Sequence, residues 1–386
     1  MPALVPDSGK GERVVVAMSG GVDSSVAALL LKQAGYDVIG VTMRLFAAPS
    51  NEAARLNRSC CSIEDVADAR AVCRAIGARH YLLNFEREFK RHVIDYFVSE
   101  YAKGRTPYPC LACNDRLKFD FLLERAAILD AKFIATGHYA RIARNEESGG
   151  SARLLKGVDP TKDQSYVLYT LSQAQLSKLF LPVGRYSKPE IREIAREAGL
   201  PVADKPDSQD ICLVPDGDYR EFVGPRLEMA KPGLLVGPDG EVLGEHDGVH
   251  NFTIGQRRGL GLNGGGKRPL FVTEIDAESG TVVLGHAESL LRSELFASSP
   301  TWVSGEPPRA GARVAAKIRY KSPESAATLW PIDGGLRIEF EEPQRAITPG
   351  QAVVFFDGDE VLGGGVIELS EAPLNQAPAT ANVTTA

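Results

Sequence analysis

The stretch from Ser19 to Ser25, which reads Ser-Gly-Gly-Val-Asp-Ser-Ser, constrains the fold of this chain more than any other. It follows the apolar run Val14–Met18, typical of a buried parallel strand, and it precedes Val26–Leu31, where a helix is predicted. A strand, a glycine turn and a helix aim backbone N–H groups and the positive end of the helix dipole at one point, which suits a phosphate group. The plain alternative is an ordinary turn capped by serine or aspartate. The motif is not a Walker A loop, because no Gly-Lys-Ser/Thr follows it.

Length and composition predict a cytoplasmic protein of several domains. A chain of 386 residues is too long for one ordinary core, and 44% hydrophobic with 24% charged residues is typical of a globular protein. No run approaches the ~20 apolar residues that span a bilayer, so no membrane partner is expected. Residues 1–12 lack the apolar core of a signal peptide and predict a flexible extension. The net charge of −6 does not indicate a nucleic-acid partner, although a basic cluster such as Arg313–Lys321 can attract one locally.

The order of predicted strands and helices divides the chain into three parts. Residues 13–214 alternate strand and helix, which predicts a doubly wound parallel sheet that binds its ligand at the carboxyl ends of the strands. The glycine turn and the later stretch Thr136-Gly137-His138-Tyr139 both lie at such ends. Residues 215–290 are rich in Gly and Pro and predict a small central domain. Regularly spaced short strands in 291–370 predict an antiparallel β-barrel, and the composition of 371–386 predicts a disordered tail.

Three of the six cysteines lie in settings that suggest chemistry. Cys110 and Cys113 follow two prolines that force an extended approach, and a helix is predicted over 115–130 with its cap at residue 114 or 115. This prediction puts Cys113 beside a helix N-terminus, where the dipole lowers the pKa of a thiol. Cys212 lies at the end of the first part. The three cysteines are catalytic thiols or ligands of an iron–sulfur cluster, whereas a structural zinc site lacks its second ligand pair.

Taken together, the motifs resemble those of the bacterial tRNA-specific 2-thiouridylases, which belong to the PP-loop ATP pyrophosphatases. Enzymes of that superfamily split ATP into AMP and pyrophosphate while they adenylate a substrate oxygen. Argininosuccinate, GMP and NAD synthetases share only the first motif. The resemblance covers about residues 13–369 and rests on Ser19–Ser25, Thr106-Pro107-x-Pro109-x-x-x-Cys113-Asn114, Lys118-Phe119, Ala135–Tyr139, Lys162–Tyr166, Asp207–Cys212 and Thr253–Leu260.

This resemblance implies a tRNA-uridine 2-sulfurtransferase that acts on the wobble uridine of the tRNAs for lysine, glutamate and glutamine. ATP, with Mg²⁺ on its phosphates, would adenylate the C2 oxygen, and a cysteine persulfide would then supply sulfur. It implies Cys113 as the nucleophile and Cys212 as the persulfide carrier, loaded by a sulfur-donor protein, and we expect a monomer. The implied nucleotide-binding residues are Ala17, Met18, Ser19, Gly20, Gly21, Val22, Asp23, Ser24, Met43 and Gly137.

The resemblance also implies tRNA contacts, and two of those positions depart from the common pattern of the family. Tyr108 stands where Asn is usual, and Cys110 stands where many members have Asp and others have Cys. If that Asp is an acid–base group, a thiol cannot copy it unchanged, because the ordinary pKa values are about 8.5 and about 3.9. The implied contacts are Tyr108, Pro109, Cys110, His138, Lys162, Asp163, Gln164, Arg319, Tyr320 and Gln351.

Two other functions stay open from the residues alone. A PP-loop ligase or amidotransferase that acts on a small molecule would need neither reactive cysteines nor a terminal barrel. A non-catalytic RNA-binding module would not need an intact phosphate turn. The sequence therefore favours ATP-dependent tRNA thiolation over both.

Overall fold

A computed structural model describes residues 11–45, 63–144, 151–207, 213–214, 218–227, 230–262 and 268–370. Most of the predicted extension (residues 1–10), the predicted tail at 371–386 and Cys212 lie outside these ranges. The division into domains at residues 214, 290 and 370 stays a prediction. Within the described ranges, no helix is both long and apolar enough to cross a membrane.

The N-terminal half contains the predicted parallel sheet. Its order is β3-β2-β1-β4-β7, and each neighbouring pair is parallel. Val14 and Val16 pack against helices on one face of this sheet, and Val15 packs against the other face, so that both faces are covered. The described strands of this half are β1 (Arg13–Ala17), β2 (Asp37–Arg44), β3 (Arg79–Asn84), β4 (Phe133–Ala135), β5 (Ala140–Arg144), β6 (Ala152–Lys156) and β7 (Leu179–Phe180).

The helices confirm the strand–helix alternation but change one boundary. The described α-helices are α1 (Val22–Gln33), α2 (Ile63–Ala75), α3 (Glu86–Phe89), α4 (Asp95–Ala102), α5 (Pro109–Cys113), α6 (Asp120–Ile128), α7 (Gln173–Leu176), α8 (Lys188–Glu197) and α9 (Tyr219–Val223). A π-helical segment, Asn114–Phe119, joins α5 to α6 without a break. The predicted helix start at residue 115 is therefore wrong. The helix begins at Pro109, because a proline at the first helical position has its φ already set and needs no N–H partner.

The C-terminal part confirms the predicted antiparallel barrel. Six strands run in the order β12-β15-β14-β13-β16-β17, and pairing of β12 with β17 closes the ring. Hairpin β5–β6, which belongs to the N-terminal half, adds to this sheet where Leu155 pairs with Glu360. The strands are β12 (Leu291–Trp302), β13 (Ala312–Lys317), β14 (Ser325–Ile332), β15 (Gly335–Arg345), β16 (Ala352–Asp357) and β17 (Glu360–Glu368).

The central part forms a smaller sheet of four strands, in the order β10-β11-β8-β9. Its strands are β8 (Gly233–Val236), β9 (Val242–His246), β10 (Phe271–Asp276) and β11 (Thr281–Gly285). In the N-terminal sheet the strand order reverses between β1 and β4, and ligands of such sheets bind at this reversal, beyond the carboxyl ends of the strands. The glycine turn after β1 and the turn after β4 both lie there, which defines the place of the candidate site.

Candidate active site

Internal hydrogen bonds close the phosphate loop, which we define as Ser19–Ser25. The hydroxyls of Ser24 and Ser25 donate to the Gly21 carbonyl at 3.2 and 2.8 Å, and the Ser19 N–H donates to Ser24 Oγ at 3.2 Å. Helix α1 begins within this loop, at Val22, and the first N–H groups of a helix have no carbonyl partner within the helix. The loop therefore has the geometry that binds a phosphate.

Two glycines of the site are required by the packing of the protein itself, and a third is not. Gly20 has a φ of +73°, and a Cβ there would lie 2.4 Å from the Asp65 carbonyl oxygen. A Cβ on Gly137, which follows β4, would lie 2.7 Å from the Ser24 backbone nitrogen. Gly21 has a φ of −95°, and its Cβ would meet a serine hydroxyl at 3.4 Å. A Cβ at Gly21 therefore makes an ordinary contact within the protein, whereas it would face a phosphate bound to the loop.

A buried lysine holds Asp23 in the first turn of α1. Lys188 Nζ lies 2.7 and 2.8 Å from the two carboxylate oxygens of Asp23 and 2.9 Å from Asp207 Oδ1. The Tyr139 hydroxyl donates to Asp23 at 2.7 Å. Only 8% of Lys188 is exposed, so these attractions act where water screens them weakly. Lys188 thus connects the phosphate loop to a second carboxylate.

Asp207 gathers three cations around one carboxylate. Lys162, Lys188 and Arg192 approach it at 2.8, 2.9 and 2.7 Å. Burial acts to raise the pKa of Asp207, but the hydrogen bonds and charges of Lys162 and Lys188 outweigh burial and lower the pKa to about 2. The carboxylate is therefore ionised at neutral pH. A continuous chain of charges leads from the phosphate loop to the residue that begins the motif Asp207–Cys212.

The loop offers oxygen donors that suit Mg²⁺ when it arrives with ATP. Mg²⁺ in such sites takes phosphate oxygens, waters and one or two carboxylates rather than a full cage of protein ligands. Asp23 provides a carboxylate in the first turn of α1, within the loop. In the described part of the chain, no group of three His, Cys, Asp or Glu side chains is placed to hold a metal ion without such help. The residues therefore fit Mg²⁺ bound together with phosphates.

The cysteine helix, α5 (Pro109–Cys113), places its two thiols differently from the sequence prediction. Cys110 is the second residue of the helix and is half-buried, whereas Cys113 is the last and is 6% exposed. The effect of the helix dipole falls off within the first turn, so it acts more on Cys110 than on Cys113. The prediction that Cys113 lies beside the helix N-terminus is therefore wrong.

Cys113 lies in an apolar cluster that also contains other predicted site residues. The implied nucleotide-binding residue Met43, which is next to last in β2, belongs to this cluster. Leu213 and Val214 belong to it as well. Cys212 itself lies outside the described residues, but Leu213 follows it in the chain. An implied nucleotide-binding residue, the implied nucleophile and the residue after the implied persulfide carrier thus share one cluster.

Three tyrosines meet between the cysteine helix and the barrel. The ring centroid of Tyr108 lies 6.5 Å from that of Tyr320, with 27° between the planes, and 6.1 Å from that of Tyr166. Burial first, and then neighbouring Cys110 and Tyr320, raise the pKa of Tyr108, so the phenol stays neutral. The Arg319 guanidinium donates to the carbonyl oxygens of Arg345 and Ala346. The structure therefore brings Tyr108, Cys110, Arg319 and Tyr320 to one region.

Several of the predicted tRNA-contacting side chains are bonded within the chain. Asp163 accepts from the Gly157 N–H at 2.8 Å, and Gln164 Oε1 accepts from the Tyr139 N–H at 3.0 Å. His138 Nδ1 is 2.7 Å from the Thr136 hydroxyl, and burial, with a smaller effect of the Lys118 charge, lowers the pKa of His138 to about 3. Gln351 Nε2 donates to the Thr106 carbonyl at 2.8 Å. Their contacts to tRNA stay predictions.

Lys188 belongs to none of the motifs found in the sequence, although its position at the start of a predicted helix is unusual for a cation. Lys188 is the first residue of α8, and a cation at a helix N-terminus opposes the helix dipole. A residue that breaks a local rule often marks a functional site. Its partner Asp23 is 165 positions earlier, so no spacing within a motif could have identified the pair.

Comparisons with known proteins cover nearly the whole chain. A family model described as a tRNA methyl transferase HUP domain matches residues 12–216, one described as a tRNA methyl transferase PRC-barrel domain matches 220–286, and one described as an aminomethyltransferase beta-barrel domain matches 292–367. The tRNA-specific 2-thiouridylase MnmA 1 of Thermoanaerobacter sp. (strain X514) is 51% identical over 361 residues, which are 93% of this chain and 98% of that protein.

A second relative is equally similar in sequence, and a solved structure is less similar. The tRNA-specific 2-thiouridylase MnmA of Moorella thermoacetica is 51% identical over 361 residues, or 92% of this chain and 99% of that protein. A 4-thiouridine synthetase–RNA complex with bound ATP is 18% identical, covers 55% of this chain and 47% of that chain, and has a TM-score of 0.33, too low to support an argument.

Proposed function

The chain belongs to the tRNA-specific 2-thiouridylase family and is an ATP-dependent tRNA sulfurtransferase, and from this premise we propose the position it modifies and the roles of its residues. The proposed target is C2 of the wobble uridine in the tRNAs for lysine, glutamate and glutamine. The proposed product is 2-thiouridine.

The first step activates a poor leaving group. The phosphate loop would hold ATP so that the uridine C2 oxygen attacks the α-phosphorus, an O–P bond forms, and pyrophosphate leaves. Loop N–H groups and the N-terminus of α1 would stabilise charge that develops on the phosphates. Mg²⁺, when bound with ATP, neutralises phosphate charge. Lys188 would keep the Asp23 carboxylate of the loop in place, since Lys188 Nζ lies 2.7 Å from it.

The second step transfers sulfur between cysteines and the activated base. The terminal sulfur of a Cys212 persulfide would attack C2, and AMP would leave with the former C2 oxygen. The Cys113 thiolate would then attack Cys212 Sγ, breaking the sulfur–sulfur bond and releasing 2-thiouridine. A Cys113–Cys212 disulfide would remain, and a dithiol reductant would have to return two electrons before the next turnover.

One observation carries this assignment more than any other. Met43, Cys113 and Leu213 share a single apolar cluster, although they come from three separate segments of the chain. A buried thiol alone is inert, but a buried thiol that shares a cluster with an implied nucleotide-binding residue and with Leu213 fits sulfur transfer.

The proposed partners follow from the same chemistry. Arg319 and Tyr320 on the barrel and Tyr108 on the cysteine helix would form part of the tRNA contact. A sulfur-donor protein would load Cys212, the protein would act as a monomer, and its tRNA substrate would place it in the cytoplasm. An iron–sulfur cluster on Cys110, Cys113 and Cys212 is the alternative use of the same cysteines, and an iron chromophore would favour it.

A reconstituted reaction tests the proposed function. The full chain is incubated with ATP, Mg²⁺, a persulfide-generating cysteine desulfurase and unmodified tRNA, and the digested tRNA is analysed for 2-thiouridine by mass spectrometry. We expect 2-thiouridine in the three named tRNAs and none in a tRNA with guanine at the wobble position, with AMP formed only when a substrate tRNA is present. AMP formation without tRNA would favour a small-molecule ligase, and tRNA binding without AMP formation would favour a binding module.

A further inference from the structure

The segment before the cysteine helix is anchored to the barrel by a buried ion pair. The Arg105 guanidinium donates to both carboxylate oxygens of Glu368, at 2.5 and 2.8 Å, and Arg105 Nε donates to Glu100 at 2.6 Å. Glu368 is the last residue of β17 and is 4% exposed. A bidentate arginine–carboxylate pair fixes orientation as well as distance. Arg105 therefore ties this segment to one place on the barrel wall.

The next residue, Thr106, is held by the barrel through both of its backbone groups. Its N–H donates to the Pro349 carbonyl at 2.9 Å, and its carbonyl accepts from Gln351 Nε2 at 2.8 Å. Gly350 lies against the same peptide, and a Cβ there would come within 3.2 Å of three Thr106 backbone atoms. Three consecutive barrel residues, 349–351, thus contact Thr106 of the segment.

The link from this anchor to the thiols is short and stiff. Pro107 and Pro109 each have φ fixed by their rings, and Pro109 is the first residue of the cysteine helix. Four positions separate Thr106 from Cys110, and seven separate it from Cys113. A change of orientation at Arg105 and Thr106 would therefore be passed to both cysteines rather than absorbed by a flexible loop.

We propose that the C-terminal barrel positions the cysteine helix for sulfur transfer, and that Arg105, with Glu368 and Gln351, is a positioning residue for that step. This inference rests on the proposed function. Gln351 would then act by holding Thr106, in addition to any contact with tRNA. The phosphate loop makes no part of this anchor, so adenylation and sulfur transfer should respond differently when the anchor is weakened.

Two variants weaken the anchor without changing the size of the side chains greatly. Glu368→Gln removes the charge of the barrel partner, and Arg105→Lys keeps the positive charge but loses the bidentate fork. For each we measure tRNA affinity, single-turnover pyrophosphate release, which reports adenylation, and transfer of ³⁵S from preloaded persulfide to tRNA. We expect transfer to slow by about ten- to hundredfold, the cost of misplacing reacting groups by about an ångström, with pyrophosphate release and tRNA affinity within about twofold of the unaltered protein.

A matched control and a milder variant complete the test. Glu341→Gln, also on the barrel, removes one negative charge from an exposed ion pair with Arg313, and all three measurements should stay within about twofold. Gln351→Ala removes the hydrogen bond to Thr106 and replaces Glu368→Gln in the test if that variant fails to fold; its transfer is measured with saturating tRNA, so that a lost tRNA contact lowers affinity and not the transfer rate. Combining Arg105→Lys with Glu368→Gln should slow transfer no further than the slower single variant, because the two residues act as one unit.

The outcomes separate the inference from the function on which it rests. Selective slowing of transfer in Glu368→Gln, Arg105→Lys and Gln351→Ala supports the inference. Unchanged transfer, or an equal fall of affinity, pyrophosphate release and transfer with a lower Tm, overturns it. Absence of 2-thiouridine with the unaltered protein would contradict the proposed function instead.

Discussion

The phosphate loop and the cysteine helix are held in place in opposite ways. The serine hydroxyls of the phosphate loop bond a carbonyl three or four residues away, so the turn is largely fixed by its own sequence. The cysteine helix depends on Arg105 and Thr106, whose barrel partners lie 263 and 245 positions later in the chain. The first region is a local structure placed on a sheet, and the second is assembled from distant parts.

This contrast shows what each region contributes to a two-step reaction. A site that binds phosphates needs N–H groups in a fixed turn, which a short motif can encode. A site that moves sulfur between cysteines needs groups from several segments within bonding distance, which only tertiary packing can supply. Changes at the phosphate loop should therefore act on adenylation, and changes at the distant anchors should act on transfer.

The largest effect is expected at Gly21, and Gly20 provides the comparison. A Cβ at Gly21 makes an ordinary contact in the free protein, so the Tm of Gly21→Val should stay within about 1–2 °C of the Tm of the unaltered protein. Its adenylation should fall more than about a hundredfold, because the side chain takes the place of a phosphate. Asp23→Ala should also abolish adenylation. Gly20→Ala should destabilise the fold by on the order of 1–3 kcal/mol, because its φ is +73°.

Calorimetry and a tRNA-dependent AMP assay on the three variants check this prediction. Affinity for tRNA should change little in Gly21→Val. Undiminished AMP formation in Gly21→Val would place the ATP site elsewhere, and an equal loss of Tm in Gly20→Ala and Gly21→Val would mean that both glycines serve only packing.

The largest effect on stability, as opposed to activity, is expected when the buried cation between the two carboxylates is removed. Lys188→Met leaves Asp23 and Asp207 without a shared partner, and loss of one member of a buried ion pair typically costs about 3–5 kcal/mol. Lys162→Met is the matched control, because Lys162 pairs with Asp207 from a more exposed position and should cost about 1 kcal/mol or less. Chemical denaturation at pH 7 measures both.

The ion pair of Lys188 with Asp207 predicts that the free energy of unfolding falls at acid pH. The pKa of Asp207 is about 2 in the folded protein against an ordinary value of 3.8, so its contribution to stability is complete above about pH 4 and is lost as the pH falls toward 2. Lys188→Met should have a shallower slope over that range. An unchanged slope would show that Lys188 does not set the charge of Asp207.

A moderate effect on tRNA affinity is expected at Arg319. Arg319→Glu should weaken binding to all substrate tRNAs alike and reduce the slope of log affinity against log salt by about 1, as for the loss of one phosphate contact. Arg319→Lys keeps the charge and should bind nearly as well. Equal weakening in both variants, together with a lower Tm, would mean that the bonds from Arg319 to the barrel carbonyls are its only role.

The smallest effect is expected for His138 between pH 5.5 and 7.5. The pKa of His138 is about 3, mainly because of burial, so the imidazole stays neutral over this range and tRNA affinity should not rise as the pH falls. In the unfolded chain His138 takes up a proton below about pH 6.5, whereas in the folded protein it stays neutral. The stability of the unaltered protein should therefore fall as the pH is lowered, and that of His138→Gln should fall less steeply. Affinity that rises tenfold on acidification, and only when His138 is present, would contradict this account.

The sequence predicted those features that depend on neighbouring residues. The apolar run of β1, the glycine turn and the start of α1 follow from local rules, and the parallel sheet and terminal barrel follow from the order and spacing of strands. The helix start at Pro109 does not follow from the sequence alone, because the sequence also offers a helix cap at residue 114. The attachment of hairpin β5–β6 to β17, the Lys188 ion pairs and the Arg105 anchor cannot be predicted from local sequence, because their partners lie far along the chain.

The most direct test of the central claim separates the two steps in one protein. Cys113→Ser is loaded with ³⁵S by a cysteine desulfurase and mixed with substrate tRNA and ATP, with Cys212→Ser as its partner variant. We expect label on Cys113→Ser and none on Cys212→Ser, pyrophosphate release dependent on tRNA with either, and no free 2-thiouridine from either. Label that persists on Cys212→Ser and is lost from Cys113→Ser, or 2-thiouridine formed at the normal rate by Cys113→Ser, would contradict the account.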